Sequence, residues 1–374
     1  FVGADAGSST PDGAVSELAA AIQSEDPAGV IALMAPSELA PFTRLADEAS
    51  DASDGSDQLA ESGLTIDPDD LIPGLQLTIT SQQYTVEKLA SDVAKVTIDD
   101  LSGDWSFDAD AFIDSGLVDW NEFDIDPDEL RDELDSDSDT FDVGELEDEL
   151  DADVFLMVVE EDGSWFISPT YTILEYVRVF GDYSSPDFGS PSTSGGATPE
   201  EAIENMVEAA VSGDLGDVFD ALPPTDAYRP YLAYRDMLEE AAGDGSSSYD
   251  IDVSVDQITT EEVDGGVRAT IDDATVEWSD GYENGTLSWD GQCFDVEVLY
   301  SDGYSDIDSG CLDDLADELD NDVADALGDL TERLSVVVTR VDGEYFVDPA
   351  RTIEDWFDAI DLDALVQAAE DAAR

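Results

Sequence analysis

The feature that most constrains this chain is that it resembles itself. Thr10-Pro11-Asp12-Gly13-Ala14-Val15 returns as Thr198-Pro199-Glu200-Glu201-Ala202-Ile203, and the same offset aligns Asp26 with Asp214, Val30 with Val218 and Pro36 with Pro224. Ala94-Lys95-Val96-Thr97-Ile98-Asp99-Asp100 returns as Val267-Arg268-Ala269-Thr270-Ile271-Asp272-Asp273, with Trp105 and Trp278 equally far beyond. The segment from Val158 to Pro169, with Asp162-Gly163 at its centre, returns from Val338 to Pro349 around Asp342-Gly343. Internal similarity in three separated places predicts two copies of one unit.

Each copy opens with a helix. Thr10 or Thr198 is placed to cap it, Pro fits the first helical position, and Glu201 completes a capping box in the second copy. Val15, Leu18, Ala19 and Ile22, or Ile203, Met206, Val207, Ala210 and Val211, recur at helical spacing and form one buried stripe. Ser24-Glu25-Asp26-Pro27 and Ser212-Gly213-Asp214 stop these helices, and Asp26 or Asp214 can cap a second short one. The two middle matches alternate as strands with one wet face. Asp-Gly between apolar runs then predicts a hairpin in each copy, followed by a helix from about Thr172 or Thr352. Between the copies, the segment from Gly181 to Ala197 is rich in Gly, Ser, Pro and Asp and reads as a linker. The organisation expected is therefore a first domain over 8–180, a linker over 181–197 and a second domain over 198–374.

Helices followed by antiparallel strands place a helical layer on one face of a curved sheet, an α+β architecture. The Thr-Pro-Glu-Glu-Ala-Ile opening, the Gly213-Asp214 break, Leu222-Pro223-Pro224 and the closing Asp-Gly-x-Tyr/Trp-Phe-Val/Ile hairpin resemble the nuclear transport factor 2-like, or cystatin-like, superfamily. Its SnoaL-like and lumazine-binding-like bacterial surface members are the nearest in pattern. The resemblance implies two tandem cone-shaped domains, each a conical sheet wrapped round a long helix with a cavity at the open end. Enzymatic members place a carboxylate or His in that cavity, with Tyr or Asp as oxyanion donor. No residue here matches such a motif position, so the resemblance carries no catalytic residue across.

Charge narrows the partners. Twelve basic residues against 95 acidic ones leave a net charge of −83, which repels phosphate backbones and anionic headgroups, so no nucleic acid partner is expected. Such an excess calls for abundant counterions, and the near absence of lysine fits salt adaptation and a GC-rich genome equally well. The chain has no histidine, which removes the commonest near-neutral acid/base and transition-metal ligand. No phosphate loop or nucleotide fingerprint occurs, and Ser and Cys lack an evident base. With an apolar fraction of 42%, the chain can nonetheless fill two cores.

Cys293 and Cys311 form an even pair in an acidic, surface-type chain, which predicts a disulfide. The longest apolar run, Val154 to Val159, is far shorter than the roughly 20 residues a bilayer requires, so no transmembrane segment is expected in this chain. It begins at Phe1, as if a signal peptide or anchor had been removed.

Asp135, Asp137 and Asp139 offer alternating oxygen ligands of the kind Ca2+ prefers, although Thr140 and Leu146 stand where an EF-hand needs Gly and Glu. The plainer reading is a solvated turn between two short acidic helices, marked by Leu130 with Leu134 and Leu146 with Leu150. Asp302 to Asp308 reads as a second oxygen-rich loop, and the stretch from Asp313 to Leu334 reads as helical. Trp105, Trp165, Trp278, Trp289, Tyr345 and Trp356 read first as core, and could line a small apolar ligand if several face one cone.

The function expected is a non-catalytic, extracytoplasmic binding or scaffolding module of a secreted or membrane-anchored surface protein. Its partners would be an envelope protein, another copy of itself or a small apolar ligand. The alternatives are a subunit of a cation-bridged surface layer or filament, and an isomerase-like or hydratase-like enzyme in one cone.

Overall fold

The computed structural model describes residues 7–39, 74–115, 130, 137–189, 193–213, 215–242, 250–263, 265–279, 282–301, 304–312 and 334–358. Helices and curled antiparallel sheets make it α+β, and the chain parts into two compact units at Asp182 and Tyr183. Among the described residues, no helix is long and apolar enough to cross a membrane.

The first unit opens with α1 (Pro11–Gln23), where the Thr10 side chain accepts from Gly13 N, and α2 (Pro27–Ala32), where Asp26 accepts from Gly29 N. Its sheet is led by two long strands, β1 (Leu75–Lys88) and β2 (Val93–Phe107), paired antiparallel along their whole length. The helix α3 (Ala109–Asp114) follows, and then β3 (Asp137–Asp142), which pairs with the far half of β2. The chain continues into α4 (Val143–Leu150), and β4 (Phe155–Glu161) then pairs with the near half of β2 and turns into β5 (Ser164–Ile167). The closing helix α5 (Pro169–Gly181) starts three residues before the expected Thr172, because Ser168 caps it and Pro169 occupies its first turn. Ala14 and Val15 of α1 pack on Val96, Ile98, Val158 and Trp165 to form the core.

The second unit begins with α6 (Pro199–Ser212), capped by Thr198, and three short helices, α7 (Leu215–Asp220), α8 (Arg229–Ala233) and α9 (Arg235–Ala242). Two long strands again lead the sheet, β6 (Asp250–Val263) and β7 (Gly266–Ser279). Here β8 (Glu283–Trp289) takes the far half of β7, and β9 (Cys293–Tyr300) and β10 (Ser305–Cys311) extend the sheet outward. The near half of β7 pairs with β11 (Ser335–Val341), which turns into β12 (Glu344–Val347) and α10 (Pro349–Asp358).

Within each long strand pair the register slips and then returns. Thr80 and Asp99 are the unmatched residues in the first unit, Asp256 and Asp272 in the second. Each such bulge bends its strand and increases its twist, which curls the ribbon. A threonine hydroxyl closes one bulge in each unit, Thr85 on Asp99 at 2.7 Å and Thr259 on Asp272 at 2.7 Å.

The Asp-Gly hairpins are present as expected. Asp162 with Gly163, and Asp342 with Gly343, all have positive φ, the pairing a tight two-residue hairpin requires. Two acidic stretches depart from expectation, since Asp137–Asp142 and Ser305–Cys311 are strands where the sequence reads as turn and loop. Nearly every residue of both is exposed, so no inward-facing apolar series marked them. Leu134 and Asp135, the stretch 313–333 and residues 302–303 lie outside the described residues. Of the segment from Gly181 to Ala197, which composition reads as a linker, Gly181 ends α5 and the part from Tyr183 onward is tied to the second unit. Asp187 N donates to Ala233 O at 2.9 Å, Ser194 N to Asp220 O at 2.7 Å, and Gly196 exchanges backbone bonds with Tyr345 at 2.8 Å.

The turn into the closing helix is bonded in the same way in both units. Thr172 Oγ1 accepts from Met157 N at 2.9 Å and donates to Ser168 O at 2.7 Å; Thr352 Oγ1 accepts from Val337 N at 2.9 Å and donates to Asp348 O at 2.8 Å. Replacing either hydroxyl by a methyl group strands a buried backbone N–H, so Thr172→Val and Thr352→Val should each cost about 1–3 kcal/mol in urea unfolding.

Nearby, Tyr228 donates its hydroxyl to the buried Asp348 at 2.7 Å and accepts from Ala350 N at 2.8 Å. Burial, followed by the negative charge of Asp348, pushes the phenol well above its ordinary range. The unfolded chain loses this proton near pH 10 while the folded chain keeps it, so this residue's contribution to stability falls as pH rises beyond 10. Unfolding midpoints from pH 9 to 11 should decline less steeply in Tyr228→Phe than in the parent chain.

Candidate functional site

The widened sheet of the second unit holds the candidate site. Residues opposite one another in an antiparallel pair point to the same face, so the register aligns side chains in rows across the strands. One row runs Val255, Ala274, Trp289, Phe294; a second runs Val253, Val276, Leu287, Val296; a third runs Ile251, Trp278, Gly285, Val298. All three cross four strands on the concave side.

Helix α6 covers this face unequally. Ile203, Val207 and Val211 form one stripe along it, but Ile203 is buried in the core with Val255, Ile271 and Trp289 while Val211 is 45% exposed. Its 14 residues extend about 21 Å at about 1.5 Å each, whereas the 14 residues of β6 extend about 46 Å at about 3.3 Å each. The helix alone therefore cannot cover the strand it packs on.

A cavity of about 740 Å³ occupies the space beyond the packed core. It is lined by the α6 stripe, by most of the three rows and by Leu334, and its lining is apolar except for Glu283 at the start of β8. The volume lies within the range of small-molecule sites. The lining brings together no nucleophile, no acid/base pair and no metal-ligand set; what it offers is exclusion of water around an apolar body, with one carboxylate.

Two glycines shape the floor. At Gly285 a methyl group would overlap the ring of Trp278, its partner across the strands, and at Gly310 a methyl carbon would fall 2.8 Å from the ring of Phe294. The rings of Trp278 and Phe294 take the space beside these glycines and form part of the apolar surface. Trp289 is anchored beside them, its indole N–H donating to Ile271 O at 2.7 Å.

The disulfide expected between Cys293 and Cys311 is present, with an S–S distance of 2.03 Å. It joins directly opposed residues of β9 and β10, at the end of those strands beside Phe294 and Gly310. The acidic residues read as oxygen ligands are arranged otherwise. Asp137 and Asp139 lie on β3 opposite Phe107 and Trp105, exposed, and each accepts a bond from the next backbone N–H, Ser138 and Thr140, both at 2.8 Å. Among the described residues, no group of three or more acidic or Cys side chains is placed to hold a metal ion. Of the six aromatics that the sequence points to, Trp278 and Trp289 line the cavity. Phe294, Glu283 and the two glycines carry no local pattern that would have marked them.

Comparison with protein-family models, curated proteins and solved structures finds no match for this chain.

Alanine in a strand normally gains roughly 0.5–1 kcal/mol over glycine. At Gly285 the overlap with Trp278 reverses the sign. Gly285→Ala should destabilise the chain by about 1–3 kcal/mol, the range for overpacking, and shift the tryptophan emission to longer wavelength as the indole is displaced.

Proposed function

We propose that this protein is a non-catalytic binding module that works outside the cytoplasm, as part of a secreted or membrane-anchored surface protein, and that the second unit's cavity is its binding site. The single observation that carries this reading is an apolar space of about 740 Å³, walled by Val, Ile, Leu and aromatic side chains with one carboxylate. Such a lining suits retention of an apolar molecule and offers no group to transform it. The cross-strand disulfide supports an oxidising compartment.

On this reading the two units are copies of one cone-shaped, nuclear transport factor 2-like domain. The recurring double bulge, the threonine-bonded turn and the matching bridges of Ser8 to Trp165 and Gly196 to Tyr345 support a common origin. The second copy differs by the hairpin that follows β8, which widens the sheet and with it the cavity floor.

The test is titration of the full chain with N-phenyl-1-naphthylamine, a neutral apolar dye whose emission rises on leaving water. One saturable site per chain is expected. Val276→Phe, which fills the floor, should weaken it at least tenfold while leaving circular dichroism unchanged. Dye binding that Val276→Phe leaves untouched would overturn the assignment.

A further inference from the structure

Resting on that reading of the cavity, we infer that the disulfide between Cys293 and Cys311 is a redox latch on the binding site: it keeps β10 against β9, and its reduction weakens retention of the ligand. The strand it secures has little else to hold it. Among the described residues β10 pairs with β9 and with no other strand, and its side chains from Ser305 to Ser309 are exposed, so no apolar face anchors it. At the latch itself the backbone supplies no bond between the two cysteines. Cys293 N donates to Asp290 Oδ1 at 2.7 Å and Cys293 O accepts from Asp290 N at 3.1 Å, so both polar groups of Cys293 turn toward Asp290 and away from Cys311. The ladder has a non-hydrogen-bonded pair here, and the sulfur bridge crosses it. One residue along, Gly310 stands opposite Phe294, and a methyl group there would fall 2.8 Å from the Phe294 ring, so this ring rests beside the β10 backbone. Phe294 in turn lines the cavity. Latch, strand and cavity wall are therefore linked by successive contacts.

Cys293 and Cys311 are both half-buried, so a small thiol reaches them. A dithiol such as dithiothreitol gives up two electrons and two protons and closes to its own disulfide, while the sulfur bridge opens to two cysteine thiols. A cross-link joining positions 18 residues apart restrains the segment between them, and opening it lets β10 leave and the Phe294 ring turn out of the wall. Coupling of this kind is reciprocal. Whatever factor reduction takes from ligand affinity, bound ligand must add to the disulfide's resistance to reduction.

The test titrates the full chain with the naphthylamine dye, oxidised and after dithiothreitol, while counting thiols and following amide exchange. Reduction to two free thiols per chain should weaken dye binding at least about fivefold, speed exchange from Ser305 to Gly310 and leave the helical circular dichroism unchanged. Saturating dye should raise the dithiothreitol needed for half-reduction by the same factor. Cys293→Ser combined with Cys311→Ser should bind like the reduced chain, and Phe294→Ala should bind weakly whether oxidised or reduced. Unchanged dye affinity or unaltered β10 exchange in a fully reduced chain would overturn the inference and leave the cavity reading intact. Loss of binding only together with the whole fold also overturns it, since the cysteines then act as a general staple. Failure of the dye to bind the oxidised chain would instead defeat the cavity reading, and the latch with it.

Discussion

The curl of the long strand pair governs everything built on it. A ribbon of this length with unbroken register would leave one broad face that a single helix cannot cover. Paired bulges at Asp256 and Asp272 bend it, and the bond from Thr259 holds the bend closed. On either side of the bend, Val255, Ile271 and Trp289 meet α6, form the core and also line the cavity. Ahead of it, the sheet widens faster than the helix can follow, and the apolar rows are left facing open space. Core and cavity are parts of one surface and share Ile203, Val255, Ile271 and Trp289.

A second constraint is the scarcity of cations. With 12 basic residues in 374, a carboxylate that leaves water has few possible counter-charges, and the structure spends them at equivalent places. Glu175, on the closing helix of the first unit, is 4% exposed and receives Arg178 in two bonds at 2.8 Å, with Lys95 of β2 at 3.7 Å. Asp355, on the closing helix of the second, receives Arg268 of β7 at 2.7 Å. A buried carboxylate without such a partner would be costly, so these contacts act mainly by removing a penalty. Among the described residues, the remaining acidic side chains are mostly exposed.

What the sequence disclosed was whatever is settled within a few residues. Caps at Thr10 and Thr198, the Asp-Gly hairpins and the inward-facing stripe of α6 are local events with local chemistry. The disulfide followed from an even pair of cysteines in an acidic surface-type chain. Strands β3 and β10 escaped notice because strand reading depends on one dry face, and they have none. Of the cavity, which the resemblance implies, the sequence pointed to Trp278 and Trp289 but not to most of the lining, because its rows run across the strands, joining residues as far apart as Val253 and Val296, which only register brings together. Composition alone says little about the contacts of the segment before α6, where Phe188 meets the Tyr234 ring edge-on at 6.2 Å and Gly196 bridges to Tyr345.

The outer strand β10 shapes how such molecules behave in a crowd. Its backbone donors and acceptors border the sheet, and an exposed border of this kind ordinarily invites a second molecule to join it. Asp306 and Asp308 alternate along it, so an approaching copy would set carboxylate against carboxylate at each step. These carboxylates therefore oppose the joining of a second copy along this margin.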